Sequence, residues 1–172
     1  MKVLTSNITK CVLCLLMSFN IFSNTQIKVD NPRIIDAFII AYDAMYSYDI
    51  MSYEKKDTKE YIILDMESSY FVDTTYEDRQ KMINYFKKYN KEILNLSLFK
   101  LKEIRLVDEI GQIKINGEIL MFTCVKSDEN SSGIIINGMK YHGPIAAYLY
   151  EMKLEVIDNE WKLIEIKEKG VA

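Results

Sequence analysis

The first predicted element follows from apolar residues spaced like one face of an α-helix. Asn31 followed by Pro32 indicates a helix start, because asparagine caps helices and proline is favoured at the first helical position. From there the apolar residues recur every three or four positions: Ile35, Phe38, Ile39, Tyr42, Met45 and Tyr46. This spacing predicts an amphipathic helix, which we expect to end near residue 50.

A short strand and two shorter helices are predicted next. The apolar run YIILD at 61–65 predicts a buried strand. Thr74 and Glu77 have the spacing of a capping box, which predicts a second helix after Thr74. Ser97 is expected to cap a third helix that reaches Ile104, although the residues after Ser97 also partly alternate.

From residue 112 the apolar residues alternate with polar ones, as they do in strands. Strands are predicted at 112–115 and from Gly117 onward, joined by a turn at Asn116–Gly117. A second Asn-Gly pair at 137–138 interrupts the following strand and indicates either a tight turn or a bulge.

Two more strands complete the predicted sheet. The strands at 145–157 and 160–168 are joined by a two-residue turn at Asp158–Asn159. Helices followed by hairpin-linked strands predict an α+β fold, with N-terminal helices packed on a C-terminal antiparallel sheet of four to five strands. An NTF2-like or cystatin-like layout has this form.

The N-terminus has the composition of a targeting segment. Residues 1–10 contain Lys2 and Lys10 and no acid, and residues 11–22 are mostly apolar. A basic start before an apolar run of about 7–15 residues is typical of a signal peptide, whereas a spanning helix needs about 20 apolar residues. A buried N-terminal helix of a cytosolic protein is the alternative.

These features predict a three-part chain. We expect a signal peptide or N-terminal anchor at 1–25, a linker at 26–31 and a single α+β domain at 32–172. The protein would then be secreted, or anchored on the outer face of the cytoplasmic membrane, with membrane contact only through its N-terminal segment.

Composition and charge exclude several classes of protein. A length of 172 residues fits one domain, and 49% apolar residues is too many for a disordered chain. The formal net charge of −3 argues against a nucleic-acid-binding protein, which needs a basic face for phosphates.

The sequence contains no common catalytic or nucleotide-binding motif. His142 is the only histidine, so a metal site with two or more histidine ligands is excluded. We therefore expect no metal, no cofactor and no catalytic residue set.

The cysteines favour a structural role. Cys11 and Cys14 lie in the N-terminal apolar run, without a second cysteine pair or a nearby histidine. Cys124 and His142 are the remaining Cys–His pair, but Cys124 lies in the middle of a predicted strand. Because its neighbours are apolar on both faces, we expect Cys124 to be a buried thiol in a strand covered on both sides.

A candidate ligand site is predicted where one strand ends. Gly138 and Gly143 bracket residues 140–142 and permit a bulge or a close backbone approach. Pro144 then ends the strand, because proline cannot donate to a ladder. A strand end beside a bulge can direct side chains into a cleft.

Asp65, which ends the strand YIILD, is the acid expected near Lys140. The candidate ligand-binding residues are therefore Asp65, Lys140, Tyr141 and His142. A solvated hairpin end without a ligand is the alternative interpretation.

An ordered set of short motifs resembles a known family. The motifs are YIILD (61–65), YFKKYNKEIL (85–94), SLFKLKEIRLVD (97–108), GMKY (138–141) and NEWKLIE (159–165). Together they resemble small bacterial secreted or membrane-anchored proteins often labelled "peptide ABC transporter permease". Arg105 stands where this family commonly has glycine, which argues against a left-handed helix cap at that position.

The permease label conflicts with the sequence, because a permease needs several apolar helices of about 20 residues. The chain offers at most one short apolar run.

Our leading hypothesis is an exported, non-catalytic binding or interaction domain for an unknown small molecule or protein. The alternative is a small-molecule-binding or hydrolytic enzyme with a conical pocket between helices and sheet, using Asp65, Tyr141 or His142.

Overall fold

The computed structural model describes residues 32–53 and 58–171. The predicted signal peptide or anchor (1–25), the linker (26–31) and the Asn31 cap lie outside the described residues, as do Cys11 and Cys14.

These described residues form a six-stranded mixed sheet with three α-helices, so the predicted α+β class is confirmed. The helices are α1 (Ile34–Tyr53), α2 (Tyr76–Phe86) and α3 (Leu98–Glu103). The strands are β1 (Tyr61–Leu64), β2 (Glu92–Asn95), β3 (Gly117–Ser127), β4 (Ile134–Gly143), β5 (Ala146–Ile157) and β6 (Glu160–Val171).

The strand order is β2-β1-β3-β4-β5-β6, with β1 parallel to both of its neighbours and the other pairs antiparallel. The prediction of four to five antiparallel strands is therefore inexact: β3–β6 are antiparallel, but the sheet has six strands and the pairs made by β1 are parallel. The missed strand is β2, which follows the charged end of α2. Parallel strands need a long crossover, and α2 supplies it between β1 and β2.

The predicted strand at 112–115 is also wrong. Within this segment Ile113 forms only an isolated bridge with Val107, and β3 begins at Gly117 without a preceding hairpin. A Cβ atom added at Gly117 would lie 2.9 Å from the Cβ of Tyr61. This glycine therefore allows β1 and β3 to approach closely, instead of forming the expected turn.

The helix starts follow the predicted chemistry with small shifts. Helix α1 begins two residues after Pro32. The capping box of α2 is formed by Thr75 and Asp78, one residue after the predicted pair. Ser97 caps α3 by accepting a hydrogen bond from the backbone N–H of Lys100, as predicted.

Arg105 corrects the expectation drawn from the family pattern. It has φ of 62° and lies in the left-handed region directly after α3. Its N–H donates to the carbonyl of Lys102, and the N–H of Leu106 donates to the carbonyl of Leu101. These two bonds form a Schellman motif with arginine in the position where glycine is usual.

Two hydrophobic clusters lie on opposite faces of the sheet. The larger cluster lies beneath α1 and α2 and contains, among others, Phe38, Tyr42, Phe71, Phe122 and Met152. The smaller cluster is covered by α3 and the segment after it, and contains Ile63, Leu101, Val107, Ile113, Ile119, Tyr141 and Ala147. Alternate residues of β5, Tyr150, Met152 and Leu154, are buried in the larger cluster.

Irregularities in the sheet occur near the predicted positions. Asp158 and Asn159 both have positive φ and form the predicted turn between β5 and β6. The Asn-Gly pair at 137–138 lies inside β4, opposite a bulge in β3 between Phe122 and Cys124. A second bulge lies at the end of β4, between Tyr141 and Gly143.

Cys124 is half-buried, so the expectation of a strand covered on both sides is wrong. Strand β1 pairs with β3 only from Gly117 to Leu120. Cys124 lies beyond that paired stretch, where the described neighbour of β3 is β4 alone.

Candidate functional site

The sheet face beneath α1 changes from apolar to polar toward one end. Leu120, Phe122 and Ile136 are buried there among apolar side chains. Beyond them, at the start of β3 and the end of β4, the same side of the sheet carries Glu118, Lys140 and His142. We call these three residues the polar cluster.

Lys140 is the most deeply buried cation among the described side chains, with 2% of its surface exposed. Its Nζ atom donates to the backbone carbonyl of Tyr46 in α1, over 3.4 Å. The same atom lies 5.9 Å from the ring centre of Tyr150, within the range of a cation–π interaction. Helix α1 and strand β5 therefore both hold this ammonium group.

Glu118 and His142 form the outer part of the polar cluster. The Nδ1 atom of His142 lies 3.4 Å from Oε2 of Glu118. The imidazole meets the ring of Tyr148 edge-on, with centres 5.7 Å apart. Glu118 is buried, whereas His142 and Tyr148 are half-buried. The polar cluster thus extends from the core to the solvent.

Burying ionisable groups costs folding free energy, even when the groups are well paired. The apolar end of the same sheet face has the residues that a hydrophobic core needs. The acid, the amine and the imidazole therefore do not contribute to the stability of the hydrophobic core. Groups of this kind, gathered where a sheet face reaches solvent, are typical of a functional site.

Tyr141 lies on the other face of the sheet from Lys140, because neighbouring strand residues alternate in direction. Its hydroxyl donates to the carbonyl of Gly111 over 2.7 Å, and its ring belongs to the smaller cluster. Tyr141 therefore anchors the segment after α3 and does not join the polar cluster.

Asp65 lies directly after β1, where its carboxylate accepts a hydrogen bond from the N–H of Glu67. Burial raises the pKa of Asp65. Among the described contacts, the carboxylate of Asp65 bonds to the loop that follows it. The acid in contact with His142 is Glu118. The structure thus brings together two of the four predicted site residues, Lys140 and His142.

Sequence reasoning missed Glu118, although a signal was present. It is the one charged residue in the run GEILMFTCV, which is otherwise apolar apart from a threonine and a glycine. A charge inside such a strand indicates a buried polar contact.

The structure separates Cys124 from His142. Cys124 pairs with Asn137 of β4, and His142 lies five residues further along that strand. At about 3.3 Å per residue, this places them roughly 17 Å apart along the strand. They do not form a nucleophile–base pair.

A second polar group joins α1 to α2 and was not predicted. The carboxylate of Asp43 accepts hydrogen bonds from the hydroxyls of Tyr85 (2.9 Å) and Tyr89 (2.5 Å). Lys88 forms an ion pair with the same carboxylate at 2.8 Å. Burial and the bond to Asp43 raise the pKa of Tyr89. These partners satisfy one another, so this group fastens the two helices together.

The described part of the chain has neither a cluster of metal ligands nor a membrane-spanning helix. No group of three or more His, Cys, Asp or Glu residues there could hold a metal ion. None of the helices over residues 32–53 and 58–171 is long and apolar enough to cross a membrane.

Comparisons with known proteins give no relative for this chain. No protein-family description, no curated protein and no solved structure matches it.

Proposed function

We propose that this chain is an exported, non-catalytic binding domain that takes a small ligand at the polar cluster. The observation that carries the proposal is the burial of Glu118 and Lys140 on one sheet face, beside the half-buried His142. An acid and an amine so close to a hydrophobic core fit a ligand that carries both a positive and a negative group. The rings of Tyr148 and Tyr150 offer contact to an apolar or aromatic part of that ligand.

Other features agree with an exported binding domain. The basic and apolar N-terminus supports export, with the protein secreted or held on the outer face of the cytoplasmic membrane. The net charge of −3 makes nucleic acid an unsuitable partner. A long helix across the antiparallel strands β3–β6 supports an NTF2-like or cystatin-like layout, and the ordered motifs support membership of the small secreted family they resemble.

One observation favours an enzyme as a second candidate. A carboxylate beside an imidazole can orient it as a general base, as in many hydrolases. The Glu118–His142 contact has this form. Such an enzyme would activate a water or substrate hydroxyl at the solvent-facing side of His142.

The test uses His142 as a reporter, since one histidine gives one set of imidazole NMR signals. The probes are L-phenylalanine, phenylacetate and phenethylamine, which carry both charges, the negative charge alone and the positive charge alone. We expect L-phenylalanine to shift the His142 signals saturably and to bind more tightly than either analogue.

Lys140→Met should abolish this response, whereas the control Tyr141→Phe, on the opposite sheet face, should keep it. The absence of a saturable shift with all three probes would contradict the binding proposal. Turnover of an ester probe that is lost in His142→Gln would favour the enzyme instead.

A further inference from the structure

A concavity on the sheet face opposite α1 collects cations that have no partner among the described residues. It lies between the end of α3 and the segment that follows, and it has a volume of about 770 Å³. Its lining contains three cations, two acids and two apolar residues: Lys102, Arg105, Lys114, Asp108, Glu109, Val107 and Ile110. It is separate from the polar cluster, which lies beneath α1.

The three cations differ from most others in the described part of the chain. Nearly every lysine or arginine side chain within 32–48 and 58–171 has a hydrogen-bond, ion-pair or other electrostatic partner. The exceptions among these residues are Lys102, Arg105, Lys114 and Lys126. Three of these exceptions line the same concavity, so their charge remains available to a ligand.

The backbone at Arg105 supports the same conclusion. Arginine occupies the left-handed position after α3, with φ of 62°, where glycine would avoid steric strain. Strained positions persist mainly where the side chain or the backbone has a function. Here the strained residue directs a guanidinium group to the lining of the concavity.

Hydrogen bonds hold together the segment that forms the concavity. The hydroxyl of Tyr141 donates to the carbonyl of Gly111. The N–H of Lys114 donates to the carbonyl of Leu106 over 2.9 Å. One of the two acids, Asp108, already accepts the N–H of Gln112 at 2.7 Å. A preorganised site loses less entropy on binding.

We propose that this concavity binds a phosphate group, carried by a small soluble ligand or by a lipid headgroup. Arg105 matches the geometry of phosphate oxygens through its planar guanidinium, and Lys102 and Lys114 add point charges. Val107 and Ile110, the latter 73% exposed, contact the apolar part of the ligand. The negative charge of Glu109 repels the bound phosphate group.

The test measures binding of inorganic pyrophosphate to the folded protein by calorimetry, at an ionic strength held constant with NaCl. A parallel arm measures binding to phosphatidylglycerol vesicles against phosphatidylcholine vesicles. We expect saturable binding in one arm. Pyrophosphate binding identifies a soluble ligand, and binding to phosphatidylglycerol vesicles alone identifies a headgroup.

Variants make the assignment specific. Arg105→Gly and Lys114→Gln should each raise the dissociation constant about tenfold, the usual effect of losing one charge-assisted hydrogen bond. Arg105→Gly also suits the left-handed backbone, so weaker binding cannot be ascribed to unfolding. Glu109→Gln should tighten binding.

Lys126→Gln is the matched control, because it removes an exposed and unpartnered cation that does not line the concavity. It should leave the dissociation constant unchanged. The proposal is overturned if neither arm gives saturable binding, or if Lys126→Gln weakens binding as much as Arg105→Gly. Neither result bears on the polar cluster, which is probed through His142.

Discussion

The Nδ1 atom of His142 lies 3.4 Å from Oε2 of Glu118, and this contact joins the end of β4 to the start of β3. The bulge between Tyr141 and Gly143 lies at His142. Strand bulges redirect side chains, so the irregular end of β4 is what sets the imidazole beside the carboxylate. The polar cluster therefore depends on backbone geometry as well as on residue type.

The cap of α2 gives a direct stability prediction. The hydroxyl of Thr75 accepts the N–H of Asp78, and the carboxylate of Asp78 accepts the N–H of Thr75. Thr75→Ala should lower the free energy of unfolding by about 1 kcal/mol, measured by urea denaturation. Thr75→Ser should restore most of it. An equal loss in Glu77→Ala would instead support the capping box predicted from the sequence.

Helix α1 lies directly on Gly138. A Cβ atom added there would overlap the sulfur of Met45 and come within 3.2 Å of Cε of Met152. Gly138→Ala should therefore destabilise the protein by roughly 1–3 kcal/mol through overpacking. The penalty should shrink when the change is made in a Met45→Ala background, because the two sites couple.

Gly143→Ala serves as the control for Gly138, since its added Cβ would meet only the end of the Gln112 side chain. Equal losses of unfolding free energy at the two glycines would refute the close approach of α1 to β4.

Acid should weaken the loop between β3 and β4. The N–H of Asn130, the ammonium of Lys153 and the hydroxyl of Ser131 lower the pKa of Asp128 to about 2. A carboxyl whose pKa is lower in the folded state stabilises the fold at neutral pH. That contribution is complete above the ordinary aspartate pKa and is lost as the pH falls toward 2.

Asp128→Asn should accordingly be less stable than wild type at pH 7, with the difference shrinking between pH 4 and pH 2. Urea unfolding at a series of pH values measures this. Glu129→Gln changes the neighbouring, exposed acid and should show little such dependence. A difference for Asp128→Asn that stayed constant down to pH 2 would argue against the lowered pKa.

Export is tested at the N-terminus of the natural protein. The apolar run ends at Phe22, so the mature chain is expected to begin between residues 24 and 27. N-terminal sequencing of protein from the culture medium or the membrane fraction decides this. An intact Met1 in the cytosolic fraction would count against export.

Sequence patterns predicted the elements whose structure is set by residues close to one another in the chain. The spacing of Phe38, Tyr42 and Met45 predicted α1, and Asp158–Asn159 predicted the last turn. Strand β2 could not be found in this way, because four residues after a charged helix acquire strand structure only by pairing with β1. Propensity is overridden by such tertiary contacts.

The candidate site was predicted in part for a similar reason. Lys140 and His142 were identified from the glycines and the proline around them. Glu118 comes from another strand, and its contact with His142 depends on the register of β3 and β4. Tyr141 was included because it lies between two site residues, but strand alternation directs it to the opposite face.

The central claim is that the polar cluster is retained for binding at a cost to the stability of the fold. The most direct test is the free energy of unfolding of the double variant Glu118→Gln, Lys140→Met, measured with the L-phenylalanine response at His142. Glu118 and Lys140 are both buried, and replacing buried charged groups together with neutral residues of similar size often leaves stability unchanged or raises it by about 1–4 kcal/mol. We predict this outcome together with loss of the response. A variant less stable by about 3–5 kcal/mol, or one that still binds the probe, would contradict the account.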